Sequence, residues 1–101
     1  ETVLLTMNKG YVYFLTNYRR TTIYIRVTNN IHSRVWKYKL GKGSLFTSKY
    51  KLTILIYAEE YDTISDAIAR EKQLKNWDKL EMESVKQNNP KLEDWYDTLR
   101  G

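Results

Sequence analysis

Apolar and polar positions alternate twice near the start of the chain, with the period of strands. Gly10 opens the run Tyr11-Val12-Tyr13-Phe14-Leu15. Asn17-Tyr18-Arg19-Arg20-Thr21 reads as a turn, and Thr22-Ile23-Tyr24-Ile25-Arg26-Val27-Thr28 resumes the period of two. β-Branched and aromatic residues at that period predict two strands, close enough to form a hairpin. In the second run Ile23, Ile25 and Val27 share one face, and Thr22, Tyr24, Arg26 and Thr28 the other. The period then lengthens. Asn29 or Asn30 can cap a helix in which Ile31, Val35 and Tyr38 fall on one stripe with Arg34 at its edge, and Gly41-Lys42-Gly43 ends it. Ser44 to Lys51 reads as a loop with at most a short helical turn. Leu52 to Glu60, rich in Ile and Leu, predicts a third strand. Ser65 is expected to cap a second helix running to about Trp77. Asp78, with Glu81 three residues on, resembles a capping box for a third helix that ends before Pro90. Leu92 to Leu99 reads as a final short helix with Trp95, Tyr96 and Leu99 packing inward.

The order ββαβαα plus a short C-terminal helix predicts an α+β fold, a small three-stranded and mostly antiparallel sheet flanked by helices. With no repeat, low-complexity stretch or linker, residues 1–101 are expected to form a single domain. No apolar run approaches the roughly 18 residues of a membrane span. Glu1 to Thr6 has neither a basic nor a long apolar stretch, so no secretion signal is expected there. Met7 is the candidate natural start, with residues 1–6 as an upstream extension. The absence of cysteine excludes disulfides, thiolate metal sites and cysteine nucleophiles. A cytoplasmic location is the expectation that fits.

Charge changes the picture more than composition does. The net charge is +5. Residues 1–51 carry ten Lys/Arg against one Glu, a balance of +9, and residues 52–101 carry seven against eleven Asp/Glu, a balance of −4. A basic half of this kind suits a polyanion, because Lys and Arg neutralise phosphates and release counterions. The plainer reading is a solvated surface.

Glu71 stands out among the acids. Ile64, Ala67, Ile68 and Leu74 form the apolar stripe of the second predicted helix, and Glu71 falls at its centre. A carboxylate there must be paired, protonated or bound to a metal, and an ion pair with a nearby Arg is the structural alternative. Nine tyrosines are many for 101 residues. Most are expected to pack with a hydrogen-bonded hydroxyl. Tyr11 and Tyr13 share a face of the first strand, and Tyr24 and Arg26 share one of the second. If these faces coincide, phenols and a guanidinium meet, within reach of Arg34. His32, the single histidine, reads as an exposed or capping residue. No His/Cys cluster, phosphate loop or Ser–His–Asp arrangement is present.

These residues, in this order, resemble the GIY-YIG nuclease superfamily from about Met7 to Leu99. The likeness is to its small stand-alone bacterial members and, more remotely, to the N-terminal nuclease domain of the excision-repair incision subunit. Tyr11-Val12-Tyr13 represents the first motif and Tyr24-Ile25-Arg26 the second. Arg34 and the run from Tyr61 to Trp77 follow at similar spacing. The resemblance implies a catalytic set of Tyr13, Tyr24, Arg34 and Glu71. Glu71 would hold a single divalent metal, Mg2+ or Mn2+, acting as a Lewis acid on the scissile phosphate. Tyr13 or Tyr24 would orient or deprotonate the attacking water, and Arg34 would stabilise charge on the phosphate. Asn89 is a further candidate. Two positions depart from the pattern: Arg26 replaces the nominal Gly of the second motif, and Tyr38 stands where many relatives have His. Tyr11 replaces the nominal Gly of the first motif, a replacement common among the small members.

The expected partner is nucleic acid, DNA before RNA, with no membrane and no protein partner. Arg19, Arg20, Arg26, Lys37, Lys42 and Lys49 are the candidate contacts. Three functions follow: a metal-dependent endonuclease with a place in DNA repair or recombination, a degenerate relative that binds without cutting, or a structural and interaction module.

Overall fold

The structure is a computed structural model that describes residues 9–43, 45–76 and 78–99. Its centre is strand β1 (Gly10–Thr16), paired antiparallel on one side with β2 (Ile23–Thr28) and on the other with β3 (Ile54–Tyr61). All pairing is antiparallel, in the order β2-β1-β3. The hairpin turn is set by Asn17, whose Oδ1 accepts from the N–H groups of Thr21 (2.8 Å) and Thr22 (3.2 Å). Those bonds take Thr22 out of the ladder, so β2 begins at Ile23.

Helix α1 (Ile31–Lys39) starts at Asn30, not Asn29, because the Asn30 side chain accepts from the Ser33 N–H. Gly41 ends it with φ of 74°. The Gly41 N–H bonds Tyr38 O and the Lys42 N–H bonds Lys37 O, which together satisfy two terminal carbonyls. Residues Leu45–Lys49 form the short helix α2. Helix α3 (Ile64–Lys75) is capped by Thr63 and not by Ser65. Thr63 is extended, and its Oγ1 accepts from the Asp66 N–H, which starts the helix early enough to put Asp66 in the first turn. The helix ends at Lys75 with Asn76 as its cap, and Trp77 lies outside the described residues. Helix α4 spans Asp78–Asn88. The side chains of its expected capping box, Asp78 and Glu81, lie outside the description, as do residues 1–6 and Met7.

The final segment is a 3-10 turn (Tyr96–Thr98), less than the helix expected from Leu92. Its backbone is used elsewhere. The Trp95 N–H bonds Leu55 O at 2.7 Å, and Asp94 Oδ1 accepts from the N–H groups of Leu55 and Tyr96. The segment is laced to the edge of β3. Trp95, Tyr96 and Leu99 pack against the core as half-buried side chains.

Pleating divides β1 between two cores. Val12 and Phe14 face Ile25, Ile56, Tyr57, Ala67, Leu74 and Val85, on the side covered by α3 and α4. Tyr13 and Leu15 face Ile31, Val35, Tyr38, Leu52 and Leu55, on the side of α1. Six of the seven residues of β1 are buried because both faces are covered. Gly10 marks the close approach of β1 to α3. A Cβ there would lie 2.7 Å from the Cα of Ile64 and 2.8 Å from the Cβ of Ala67, so α3 rests directly on the strand. No helix among the described residues is long and apolar enough to cross a membrane.

Candidate functional site

The β1–β2 register places Tyr13 opposite Arg26, Leu15 opposite Tyr24 and Tyr11 opposite Thr28. The tyrosine face of the first strand and the Tyr24–Arg26 face of the second therefore coincide. Helix α1 crosses that face with Val35 and Tyr38 buried and with Arg34 and Lys37 on its exposed flank. The result is a pocket of about 300 Å3 lined by Tyr13, Tyr24 and Tyr38 and rimmed by Arg26, Arg34, Lys37 and Lys42. No carboxylate lines it among the described residues.

The phenols form its floor and wall. Tyr13 is fully buried, and its hydroxyl lies 2.8 Å from that of Tyr38. The Tyr24 ring stands perpendicular to the Tyr38 ring, with centroids 6.3 Å apart. The Arg26 guanidinium carbon sits 5.7 Å from the centroid of the Tyr24 ring, within range of cation–π attraction. Gly43 closes the wall: a Cβ at this position would collide with the Tyr38 ring and with Thr47 Oγ1. Burial pushes the Tyr13 phenol far above the ordinary range, and its bond to Tyr38 adds to the effect. Arg34 pulls the other way without overcoming them. Tyr13 is therefore a neutral phenol at physiological pH.

Glu71 is elsewhere. It is half-buried on α3, the helix that covers the opposite face of the sheet, and it is not among the residues lining the pocket. Its carboxylate is 3.3 Å from Lys75 Nζ. The expected ion pair exists, with a Lys one turn away in place of an Arg. The structure thus brings together Tyr13, Tyr24, Arg34, Arg26, Lys37, Lys42 and Tyr38, and leaves Glu71 on the helix behind the sheet.

The remaining candidates also lie apart. Tyr11 is half-buried beside the second core. Arg19 is exposed in the hairpin turn. Arg20 donates to the carbonyls of Tyr18 (2.7 Å) and Leu92 (3.0 Å). Lys49 lies 5.5 Å from the Tyr50 ring centroid. Asn89 is buried and fully committed. Its amide donates to Ile56 O and Glu93 O and accepts from the Glu93 N–H, tying the last segment to β3. His32 is exposed and stacks on Tyr96, its Nε2 being 3.2 Å from the hydroxyl.

One polar cluster is not among the sequence-derived candidates. Glu59 accepts from Arg70 Nε (2.9 Å), from the Tyr57 hydroxyl (2.6 Å) and from the Tyr61 hydroxyl (2.7 Å). Burial alone would raise the Glu59 carboxyl, but these bonds outweigh it and hold the group below its usual range. Burial and the same bonds raise both phenols, Tyr61 to about 12. The sequence does carry a signal for it: three β3 residues two apart, Tyr57, Glu59 and Tyr61, share a face toward Arg70. This cluster clamps α3 to β3.

Among the described residues there is no group of three His, Cys, Asp or Glu placed to hold a metal. Glu71 can offer one carboxylate ligand, held in position by its helix. That fits a cation such as Mg2+, which keeps most of its shell as water.

Comparison with known proteins places the fold in a family. The family model described as the GIY-YIG catalytic domain matches residues 9–86, a range that holds the whole pocket and Glu71 but not Asn89. A UPF0213 protein of Syntrophus aciditrophicus is 32% identical over 88 residues, covering 85% of this chain and all of the relative. UPF0213 proteins of Staphylococcus haemolyticus (30% identical) and Staphylococcus epidermidis (31% identical) each align over 71 residues, 70% of this chain and 85% of theirs. No solved structure gives a significant match. With a family match over most of its length and a hairpin that carries both tyrosine motifs, the chain belongs to the GIY-YIG family.

Proposed function

We propose that this protein is a metal-dependent endonuclease of the GIY-YIG type that takes a DNA phosphate into the tyrosine-floored pocket. One observation carries the reading: four cationic side chains converge on three phenols, with no acid among the described lining residues. Such a pocket favours a phosphodiester over a neutral or cationic ligand.

In this reading Arg34 and Lys37 bind the non-bridging oxygens, and Arg34 stabilises the charge that gathers on them as water attacks. Tyr24 is favoured over Tyr13 as the phenol that orients that water. Tyr13 is fully buried and its hydroxyl is engaged with Tyr38, so its part is to fix the Tyr38 ring and floor the pocket. Glu71, released from Lys75, would supply one oxygen to Mg2+ or Mn2+. Lewis-acid polarisation by that ion would need the ion and the pocket to share one phosphate, and this fold holds Glu71 and the pocket on opposite faces of the sheet.

A second reading has its own support. Arg26 stands over Tyr24 at the mouth of the pocket, and Glu71 is ion-paired on the helix behind the sheet. Both observations suit a relative that binds nucleic acid without cutting it.

Cleavage of labelled branched, single-stranded and duplex DNA with Mg2+, Mn2+ or EDTA separates the two. The endonuclease reading expects metal-dependent products that vanish in Glu71→Ala. Products from Arg26→Gly but none from the parent would mean that Arg26 disables a competent site. Salt-sensitive binding without cutting by either protein would establish the second reading.

A further inference from the structure

The phosphate pocket has a neighbour. Behind the Tyr38 ring lies a second cavity of about 280 Å3 whose walls include Tyr18, Lys39, Ser48 and Lys51. Tyr38 lines both cavities, so one side chain divides them. The second cavity, like the first, has no carboxylate in its lining among the described residues. Its two lysines differ. Lys39 is committed to Asp94 and to the Thr53 carbonyl. Lys51 is exposed and has no ion pair among the described residues.

Tyr18 stands at the mouth, 83% exposed. Neither its ring nor its hydroxyl meets a partner among the described residues. A single exposed aromatic is ordinary, but the backbone beneath this one is unusually well held. The Asn17 side chain accepts from the N–H groups of Thr21 and Thr22 and donates to Thr21 Oγ1. Arg20 clasps the Tyr18 carbonyl and, 72 residues along the chain, the carbonyl of Leu92. The turn therefore fixes the backbone from which the ring projects into solvent. A ring on a held backbone has only its own two side-chain torsions left to order when a ligand stacks on it.

Resting on the reading of the first cavity as a phosphate site, we propose that the second cavity takes the adjacent unpaired nucleotide of a single-stranded nucleic acid. The base stacks on Tyr18, and Lys51 faces the phosphate of that nucleotide. Every base has a π-face, so such a subsite is tolerant of sequence. A base inside a duplex is already stacked on its neighbours and has no face to offer. The subsite makes this surface prefer an unpaired strand, or the frayed end of a paired one.

The test is equilibrium binding in EDTA at low salt, read by fluorescence anisotropy. Three probes of one length are used: a single strand, the same backbone made abasic throughout, and a blunt duplex. The parent should bind the base-bearing strand more tightly than the abasic one by roughly five-fold to a hundred-fold, the range for one stacked base. Tyr18→Ala should erase that difference and leave duplex binding unchanged, while Tyr18→Phe should preserve it. Tyr18 is on the surface, so neither change threatens the fold. If Tyr18→Ala binds the base-bearing strand as well as the parent does, while Arg34→Ala weakens all three probes, the subsite is wrong and the phosphate pocket stands. If the parent binds no probe, both fall together.

Discussion

The hydroxyls of Tyr13, on the central strand, and Tyr38, on the helix that crosses it, lie 2.8 Å apart in the floor of the pocket, shielded from water. This pair makes the floor a unit. Removing one hydroxyl leaves the other buried and unpaired, which costs about 1–3 kcal/mol, whereas removing both leaves apolar neighbours. Tyr38→Phe and Tyr13→Phe should each lower stability by about that amount. The double variant should lose clearly less than the sum of the two. Urea denaturation of the four proteins measures the coupling, and strict additivity would show that the bond contributes nothing.

The two glycines after α1 should respond differently to alanine. Gly41 has open space around its absent Cβ, and its cost is conformational, through a φ of 74°. Gly41→Ala should lose about 1 kcal/mol with phosphate affinity unchanged. Gly43→Ala pushes against the Tyr38 ring and should lose about 1–3 kcal/mol. It should also weaken inorganic phosphate binding, because the displaced ring belongs to the pocket wall. Thermal melts with and without phosphate distinguish the two.

The Glu59 cluster predicts how stability depends on pH. The folded Glu59 carboxyl titrates below its unfolded value, so its contribution is complete above about pH 4.3 and is lost as pH falls through the folded value. Tyr13, Tyr57 and Tyr61 are raised, so their contribution is complete below about pH 10 and is lost as pH climbs above it, for Tyr61 through about 12. Melting temperature should fall at both extremes, and Glu59→Gln should flatten the acid limb. Tyrosinate absorbance should show these three phenols titrating only as the protein unfolds.

The rim cations should be countable by salt. Removing one phosphate-binding cation makes the slope of log K against log salt shallower by about 0.7 to 0.9. Arg34→Ala and Lys37→Ala should each do so for an oligonucleotide. Arg70→Ala should leave the slope alone while destabilising the protein, since Arg70 is occupied by Glu59. Equal slopes for all of these proteins would remove the pocket from the binding surface.

Much of this site can be read from the residues in order. Two alternating runs joined by Asn17 set a hairpin and put Tyr24 and Arg26 on one face of the second strand, and the register of the pair then brings that face together with Tyr13. Arg34 and Tyr38 follow from helical spacing on the next element. What the pattern does not hold is the side on which a helix lies. The stripe that buries Ala67 and Leu74 would suit either face of the sheet, so the separation of Glu71 from the pocket becomes visible only once α3 is in place. Caps are ambiguous for a similar reason. Thr63 and Ser65 are both competent, and the extended conformation of Thr63 decides between them. The last segment misleads because Trp95 and Asp94 carry helix-compatible side chains, while their backbone and carboxylate bonds are with β3.

The bond from Arg20 to Leu92 bears on the order in which the molecule is made. The hairpin turn leaves the ribosome before its anchor, which comes 72 residues later. Contacts between such distant positions form late, because the long loop between them must first be closed. The hairpin can therefore pair early from its own alternation, but its tip is fastened only after the 72 residues up to Leu92 have been synthesised.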